Sequence, residues 1–242
     1  MLAGLVGLVA GFVKGVVGFA MPLLFISGLT LFISPELALA GLILPTLVMN
    51  VIQALRQGLV AAWQSTRRFA VFLVCGGVTL VLAAQFVRVL PDRAMLLLIG
   101  VPVLLFALLM LTGYRFRLSE RSNRIEAVIG AFAGALGGIS GIWGPPTVAY
   151  LTALDTPKND QMRVQGVIYG LGAVVLAGAH IGSGVLRAET WTFSAAMILP
   201  GALGMWAGSK VMDRFEQATF RRATLFVLLI AGANLVRRGV TG

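Results

Sequence analysis

Long stretches without a charged side chain constrain the fold of this sequence most strongly. A helix needs about 20 mostly apolar residues to cross the hydrocarbon core of a bilayer. Only 12% of the residues are charged, whereas a soluble domain carries about 25%. We therefore predict an all-α polytopic membrane protein in which residues 1–242 form a single membrane domain. Its six ordinary spans are predicted at 37–55, 69–87, 94–114, 164–186, 190–209 and 223–236.

The positive charge of the chain does not indicate a nucleic-acid partner. The formal net charge is +10, from 19 Lys and Arg against 9 Asp and Glu. Nearly all of these cations lie in short gaps between apolar stretches, where basic residues fix the topology of a membrane protein. The sequence therefore predicts no nucleic-acid surface but a multi-pass protein in contact with membrane lipid.

Several functional classes lack their sequence signatures. Cys75 is the only cysteine, so neither an internal disulfide nor a cysteine-based metal site is expected. No phosphate-binding loop, paired histidine ligands or serine-hydrolase elbow occurs in the sequence. We therefore expect no enzyme, no metal and no cofactor.

Two apolar stretches, 1–33 and 127–154, are interrupted at their centres by glycine and proline. The interruptions lie around 15–22 and 137–146. The helical piece after Pro22 reaches only about 18 Å, well short of a core roughly 30 Å thick. Each stretch is predicted to be a re-entrant hairpin or a discontinuous helix, which membranes tolerate only where protein or water surrounds the broken backbone.

The two interrupted stretches also coincide when the chain is shifted by 123 residues. Six residues match at this one offset, and each copy continues into three further spans. We therefore predict repeat one over 1–113 and repeat two over 124–238, joined by a linker at 114–123. The matching pairs are Gly7 with Gly130, Ala10 with Ala133, Gly11 with Gly134, Gly15 with Gly138, Gly18 with Gly141 and Pro22 with Pro145.

The distribution of Lys and Arg predicts that the repeats are inverted. If each interrupted stretch returns to its own side, the gaps at 56–68, 113–124, 158–163 and 210–222 share one face of the membrane. That face then carries 13 cations against five on the other, a bias typical of a cytoplasmic face. If each stretch instead crosses once, the repeats are parallel and the split is 10 to 8. The positive-inside rule favours two opposing hairpins.

Opposing hairpins would bring the two helix breaks together near the bilayer midplane, where inverted-repeat transporters bind substrate. The helices that begin near Pro22 and Pro145 have free N–H groups in their first turn, and these groups suit an anion. Neighbouring glycines allow a ligand to approach the backbone closely. The predicted glycine contacts are Gly15, Gly18, Gly138, Gly141 and Gly144.

Lys14 is the only cation in the first 55 residues and lies directly before the first break. An ionisable residue at membrane depth is a functional candidate by default, although a lysine that snorkels to the interface is the alternative. Trp143, at the second break, either stacks on a ligand or blocks access to it. Polar residues in the spans either line a pathway or bond between helices, and these are Asn50, Gln53, Gln165 and His180.

The repeated pattern G-x3-G-x3-G-x2-G-x3-P, at 7–22 and again at 130–145, resembles the sulfite exporter TauE/SafE family of membrane permeases. The resemblance covers essentially the whole chain. It implies a multi-pass protein of the bacterial inner membrane that moves sulfite, sulfoacetate or other sulfonates. The family usually has three glycines before the first proline, where this chain has Phe19, Ala20 and Met21. This departure from the family pattern concerns the identity of the substrate and not the fold, and Phe19 is among the expected site residues.

Together these features predict a secondary transporter of a small sulfur-containing anion, with export favoured. Access would alternate as one repeat moves against the other around a midplane site. An anion channel with the same hairpins as its filter, and a membrane scaffold subunit without transport, are the alternatives. A homodimer is compatible with each of these three functions.

Overall fold

Leucine and alanine, which favour helix, fill much of the apolar stretches, and the described residues form helices without strands. The computed structural model describes the chain except residues 30, 85–90, 113–117, 119–120, 141–142, 183–186 and 242. The helices are α1 Leu2–Val17, α2 Met21–Leu29, α3 Pro35–Leu55, α4 Leu59–Arg68, α5 Ala70–Ala84, α6 Asp92–Leu111, α7 Asn123–Ser140, α8 Gly144–Ala153, α9 Lys158–Gly182, α10 Ala188–Ala196, α11 Ile198–Asp213 and α12 Gln217–Thr241.

Both interrupted stretches are pairs of helices. Gly18 caps the C-terminal end of α1, and its φ of +84° is the left-handed conformation that favours glycine. The Gly18 N–H donates to the Lys14 carbonyl at 2.7 Å and closes the last turn. α2 has nine residues and is therefore about 14 Å long, too short to cross a bilayer. The predicted break in the first stretch is present, and α7 and α8 form the corresponding pair in the second.

Helix boundaries repeat at the offset of 123 residues that the glycine pattern indicates. α1 ends at residue 17 and α7 at residue 140. α2 and α8 begin at residues 21 and 144, and α3 and α9 begin at residues 35 and 158. The local structure of each copy therefore follows the same sequence signals. The inverted orientation of the copies stays a prediction.

The helices form two compact units, and neither unit is one of the predicted repeats. Unit 1 comprises Met1–Arg68 and Met162–Phe215, and unit 2 comprises Phe69–Gln161 and Glu216–Gly242. Each unit therefore takes helices from both halves of the chain. One interrupted helix pair lies in each: α1 and α2 in unit 1, α7 and α8 in unit 2.

Glycine faces hold the main helix pair of unit 1, α1 against α11. A side chain at Gly11 would overlap the backbone of Gly201, and one at Gly204 would overlap the carbonyl of Leu8. Small residues at such positions let helix backbones approach closely, which is how membrane helices pack without a hydrophobic driving force. This contact leaves no room for a side chain at Gly11 or Gly15 of α1, whereas Gly7 is in ordinary contact with Pro200.

Unit 2 contains the counterpart of that pair, α7 against α5. A side chain at Gly134 would overlap the backbone of Gly76, and one at Gly130 would press on the backbone of Phe72. The Thr79 hydroxyl donates to the Ala131 carbonyl at 2.8 Å across the same interface. The matched glycines Gly11 and Gly134 therefore have the same role in the two units, which is to let two helix backbones pack closely.

Two parts of the chain differ from the predicted spans. The stretch 190–209 is not one helix but two, α10 and α11, which meet at Met197. Pro200 explains the break, because its ring has no N–H and clashes with a helical carbonyl four residues earlier. The gap 56–68 contains the short helix α4, bent by 100° from the described part of α3. Gly58, with a φ of +87°, makes that turn.

By length and apolar character alone, α12 is the one helix among the described residues that could cross a membrane unaided. The bent pair α3 and α4 meets the same requirement only when counted as one span. The predicted set of six spans therefore stays a prediction. Large apolar side chains are nevertheless exposed along several helices, including Leu5 and Val9 on α1 and Phe226 and Ile230 on α12. Lipid would cover such faces in a membrane.

Candidate functional site

The last turn of α1 carries a buried lysine. Only 2% of Lys14 is exposed. Its ammonium donates to the Asn50 Oδ1 at 2.5 Å, and its Nζ lies 5.9 Å from the centre of the Tyr169 ring. Lys14 therefore points into unit 1 rather than to the interface, and the snorkelling alternative does not describe it.

Lys14 has no carboxylate to neutralise it in the described part of unit 1. Among the described residues, the only buried charged side chains are Lys14 and Glu126, and Glu126 belongs to unit 2. An amide oxygen and an aromatic face compensate a buried ammonium only in part, and an uncompensated buried charge is costly. The site is suited to receive an anion.

The backbone at the first helix break is held by Gln53 of α3. Its amide Nε2 donates to the Gly18 carbonyl at 3.1 Å and to the Met162 carbonyl at 2.7 Å. Both hydrogens of this amide are therefore used, and they connect the end of α1 to α9. Gln53 is 2% exposed, so these bonds lie away from solvent.

Three buried amide atoms beside this break have no hydrogen-bond partner in the described structure. They are the Oε1 of Gln53 and both the Oε1 and the Nε2 of Gln165. Gln165 is fully buried and lies directly against Gly18. Buried polar atoms almost always have a partner, so this group indicates a place for a polar ligand or water. We call Lys14, Asn50, Gln53 and Gln165 the Lys14 cluster.

The Lys14 cluster unites four of the residues singled out from the sequence. Phe19 is buried directly after the break, and Pro22 is the second residue of α2. Gly15 lies against the backbone of α11 at Met205. That close packing is sufficient to require glycine, and a ligand contact at Gly15 stays a prediction. His180 belongs to α9, but its side chain lies outside the described residues.

The sequence reasoning missed Tyr169 and Met162. Tyr169 follows Gln165 by four residues on α9, so both lie on one face of that helix. That spacing could have identified Tyr169 once Gln165 was chosen. Met162 contributes a backbone carbonyl, and no sequence signal marks a residue that acts through its main chain.

The second helix break differs from the first in its surroundings. Gly137, the counterpart of Lys14, lies against the Trp143 ring. Trp143 is buried, and its carbonyl accepts a hydrogen bond from the Thr147 hydroxyl at 2.9 Å. An aromatic ring thus lies against the backbone at the position where repeat one has an ammonium. A ligand contact at Trp143 stays a prediction.

The structure describes most of the other residues predicted at the second break, and none of them is shown to bind a ligand. Gly138 is buried in α7, and Gly144 is the first residue of α8. Gly141 lies outside the described residues. Pro145 borders an apolar cavity of about 430 Å³ inside unit 2, lined also by Phe132, Pro146 and Ala149. The space beside Pro145 is therefore lined by apolar residues, and the role of this helix start in binding an anion stays a prediction.

Glu126, near the start of α7, is a buried carboxylate. It is fully buried and pairs with Arg121 at 2.5 Å. Its oxygens also accept hydrogen bonds from the Phe72 N–H at 3.3 Å and from the Tyr150 hydroxyl at 3.5 Å. These bonds join the start of α7 to α5 and α8. The carboxylate is thus a structural tie within unit 2.

A family model matches nearly the whole length of the chain. The model of the sulfite exporter TauE/SafE family matches residues 3–235. No curated protein and no solved structure matches the chain significantly. The matched range includes both interrupted helix pairs and the whole Lys14 cluster. Members of this family are integral membrane transporters rather than enzymes. The chain belongs to the sulfite exporter TauE/SafE family and is a membrane transporter of the sulfite-exporter type.

Proposed function

We propose that the protein is a secondary transporter that exports a small sulfur-containing anion, a sulfonate or sulfite, across the bacterial inner membrane. The observation that carries the proposal is the buried Lys14, which has no carboxylate partner among the described residues of unit 1. A bound oxyanion would neutralise the ammonium. It would also accept a hydrogen bond from the unpartnered Nε2 of Gln165.

The first helix break would expose backbone groups to the anion. Gly18 ends α1 and α2 begins three residues later, so free N–H groups of the first turn of α2 lie close in sequence to Lys14. Such groups favour a negative charge. We propose that Phe19 and Pro22 border the anion on this side.

The direction of transport follows from the charge of the substrate. A membrane potential that is negative inside drives an anion outward, by about 2.3 kcal/mol per charge at 100 mV. Export therefore needs no coupled ion. Alternating access around the site, by movement of one inverted repeat against the other, is the mechanism typical of such architectures.

Transport by purified protein in liposomes tests this function. Liposomes loaded with methanesulfonate should take up labelled sulfite or sulfonate faster than empty liposomes, because a carrier returns faster when it is loaded. Uptake should also saturate with substrate concentration.

Two other results would contradict the proposal. Flux that rises with voltage and neither saturates nor accelerates with internal substrate would indicate an anion channel. Absence of both flux and binding for sulfite, sulfate, thiosulfate and sulfonates would favour a scaffold subunit.

A further inference from the structure

We propose that the Lys14 cluster selects an anion with a single negative charge and rejects a dianion of the same shape. This inference rests on the proposed function and narrows its substrate class. The preferred ligands are sulfonates whose second substituent is uncharged and, of the two forms of sulfite present near neutral pH, the singly charged hydrogensulfite. Sulfoacetate and sulfate, which carry two negative charges, are poor ligands.

The number of positive charges at the site limits the charge of the ligand. Lys14 is the only buried cation in the described residues of the chain. Arg56, at the end of α3, is partly exposed and already pairs with Asp213 at 2.5 Å. Arg163, two residues before Gln165, donates to the Ser65 hydroxyl at 2.8 Å. Among the described residues, one buried positive charge, that of Lys14, therefore belongs to the cluster, and it neutralises one negative charge.

The remaining polar groups of the cluster also disfavour a second negative charge. The Asn50 Oδ1 accepts from Lys14, and the Gln53 amide hydrogens are bound to backbone carbonyls. Of the three unpartnered atoms, two are carbonyl oxygens, the Oε1 of Gln53 and the Oε1 of Gln165. These oxygens carry partial negative charge and would repel a second anionic group. An uncharged amide or alkyl substituent avoids that repulsion.

The burial of the cluster increases the cost of a second charge. All four side chains of the cluster are at most 2% exposed, so water does not screen a second charge there. A buried ion that lacks a partner keeps its full desolvation penalty. We expect a dianion to bind at least about 100-fold more weakly than a monoanion of the same shape, in accord with that penalty.

Two pairs of ligands of matched shape test the charge selectivity on the wild-type protein. Methanesulfonate and sulfate are both small and tetrahedral but differ by one charge. The primary amide of sulfoacetate and sulfoacetate itself differ in the same way at a larger size. Each ligand is titrated against the purified protein at constant ionic strength and pH, and binding is read from the rise in melting temperature. The monoanion of each pair should bind at least about 100-fold more tightly.

The outcomes separate the inference from the function on which it rests. Equal or tighter binding of either dianion overturns the charge selectivity while leaving transport of sulfur-containing anions in place. No binding of any of the four ligands, together with no binding of sulfite, overturns the proposed function and the inference with it. If the site excludes the larger pair by size, the smaller pair still decides the question.

A pair of variants gives a second, independent reading. Gln165→Lys adds a positive charge to the cluster, and it should shift the preference toward sulfate relative to methanesulfonate by at least about tenfold. Gln165→Met has a similar size without charge, and it should change the affinities for both ligands by the same factor. An unchanged preference in a folded Gln165→Lys protein would contradict the proposal.

Discussion

Lys14 shows how a single residue acquires its meaning from distant parts of the chain. Its position before a glycine break made it a candidate, yet the same position allowed it to snorkel. The structure buries it against Asn50, which lies 36 residues away, and against Tyr169 on α9. The polar amides of α3 and α9 were visible in the sequence. Their meeting with Lys14 was not, because it depends on how α1, α3 and α9 pack.

Replacement of Lys14 by methionine should lower the affinity for the anion but raise the stability of the anion-free protein. Lys14→Met removes the charge but keeps an unbranched side chain. Loss of one member of a buried charge pair costs about 3–5 kcal/mol, so anion affinity should fall by at least about 100-fold. Without anion, the variant should be more stable than the wild type by on the order of 1 kcal/mol, because an uncompensated buried charge is removed. Melting temperatures with and without methanesulfonate measure both effects.

Lys210→Met is the matched control for this substitution. Lys210 is exposed in the same unit and lies over the Trp206 ring. The change should leave anion binding unaltered and stability within about 0.5 kcal/mol. A Lys14→Met protein that binds methanesulfonate as the wild type does would exclude Lys14 from the site.

At the scale of elements, the glycine pattern has two separate uses. Of the glycines in the first copy of the pattern, only Gly15 and Gly18 were predicted to contact a ligand. Gly7, Gly11 and Gly15 face α11, while Gly18 forms the left-handed end of α1. A G-x3-G spacing repeats once per helical turn and therefore marks one face. It could not specify whether that face meets a ligand or another helix.

A small side chain at Gly11 should weaken the α1–α11 contact. In Gly11→Ala the added methyl group would overlap the backbone of Gly201. The backbones would have to separate, at a cost of about 1–3 kcal/mol. The melting temperature of the purified variant should fall accordingly.

Gly4→Ala provides the comparison on the same helix. No atom lies within 4 Å of a side chain at Gly4, and alanine favours helix over glycine by about 1 kcal/mol. This variant should be as stable as the wild type or slightly more so. Equal behaviour of the two variants would refute the packing role of Gly11.

At the scale of the whole molecule, each compact unit contains helices from both halves of the sequence. The predicted repeats at 1–113 and 124–238 describe the order of elements along the sequence, and the helix boundaries follow that order. The compact units instead pair α1 with α11 and α5 with α7, each across the two halves. A repeat in sequence reports similar local structure. It does not report which copies of a helix pack together.

Cysteine labelling tests the inverted orientation of the repeats. Cys75→Ala supplies a background without native cysteine. Single cysteines at Leu31 and Asn159, both exposed, then lie after the first helix pair and after the second. A membrane-impermeant reagent should label Leu31→Cys from outside intact cells, and Asn159→Cys only after the membrane is opened. Labelling of both from the same face would support parallel repeats.

The sequence by itself determined the class of the protein, the two helix breaks and the repeat. These features depend on composition and on residues close in the chain: charge-free stretches, proline without an N–H, and glycine at left-handed or closely packed positions. Tertiary structure alone decided the environment of Lys14, the burial of Glu126 and the exchange of helices between the halves. Each of these depends on contacts between residues distant in sequence, such as Gln53 with Met162. Packing between helix faces selects those contacts, and a one-dimensional pattern leaves the choice of partner open.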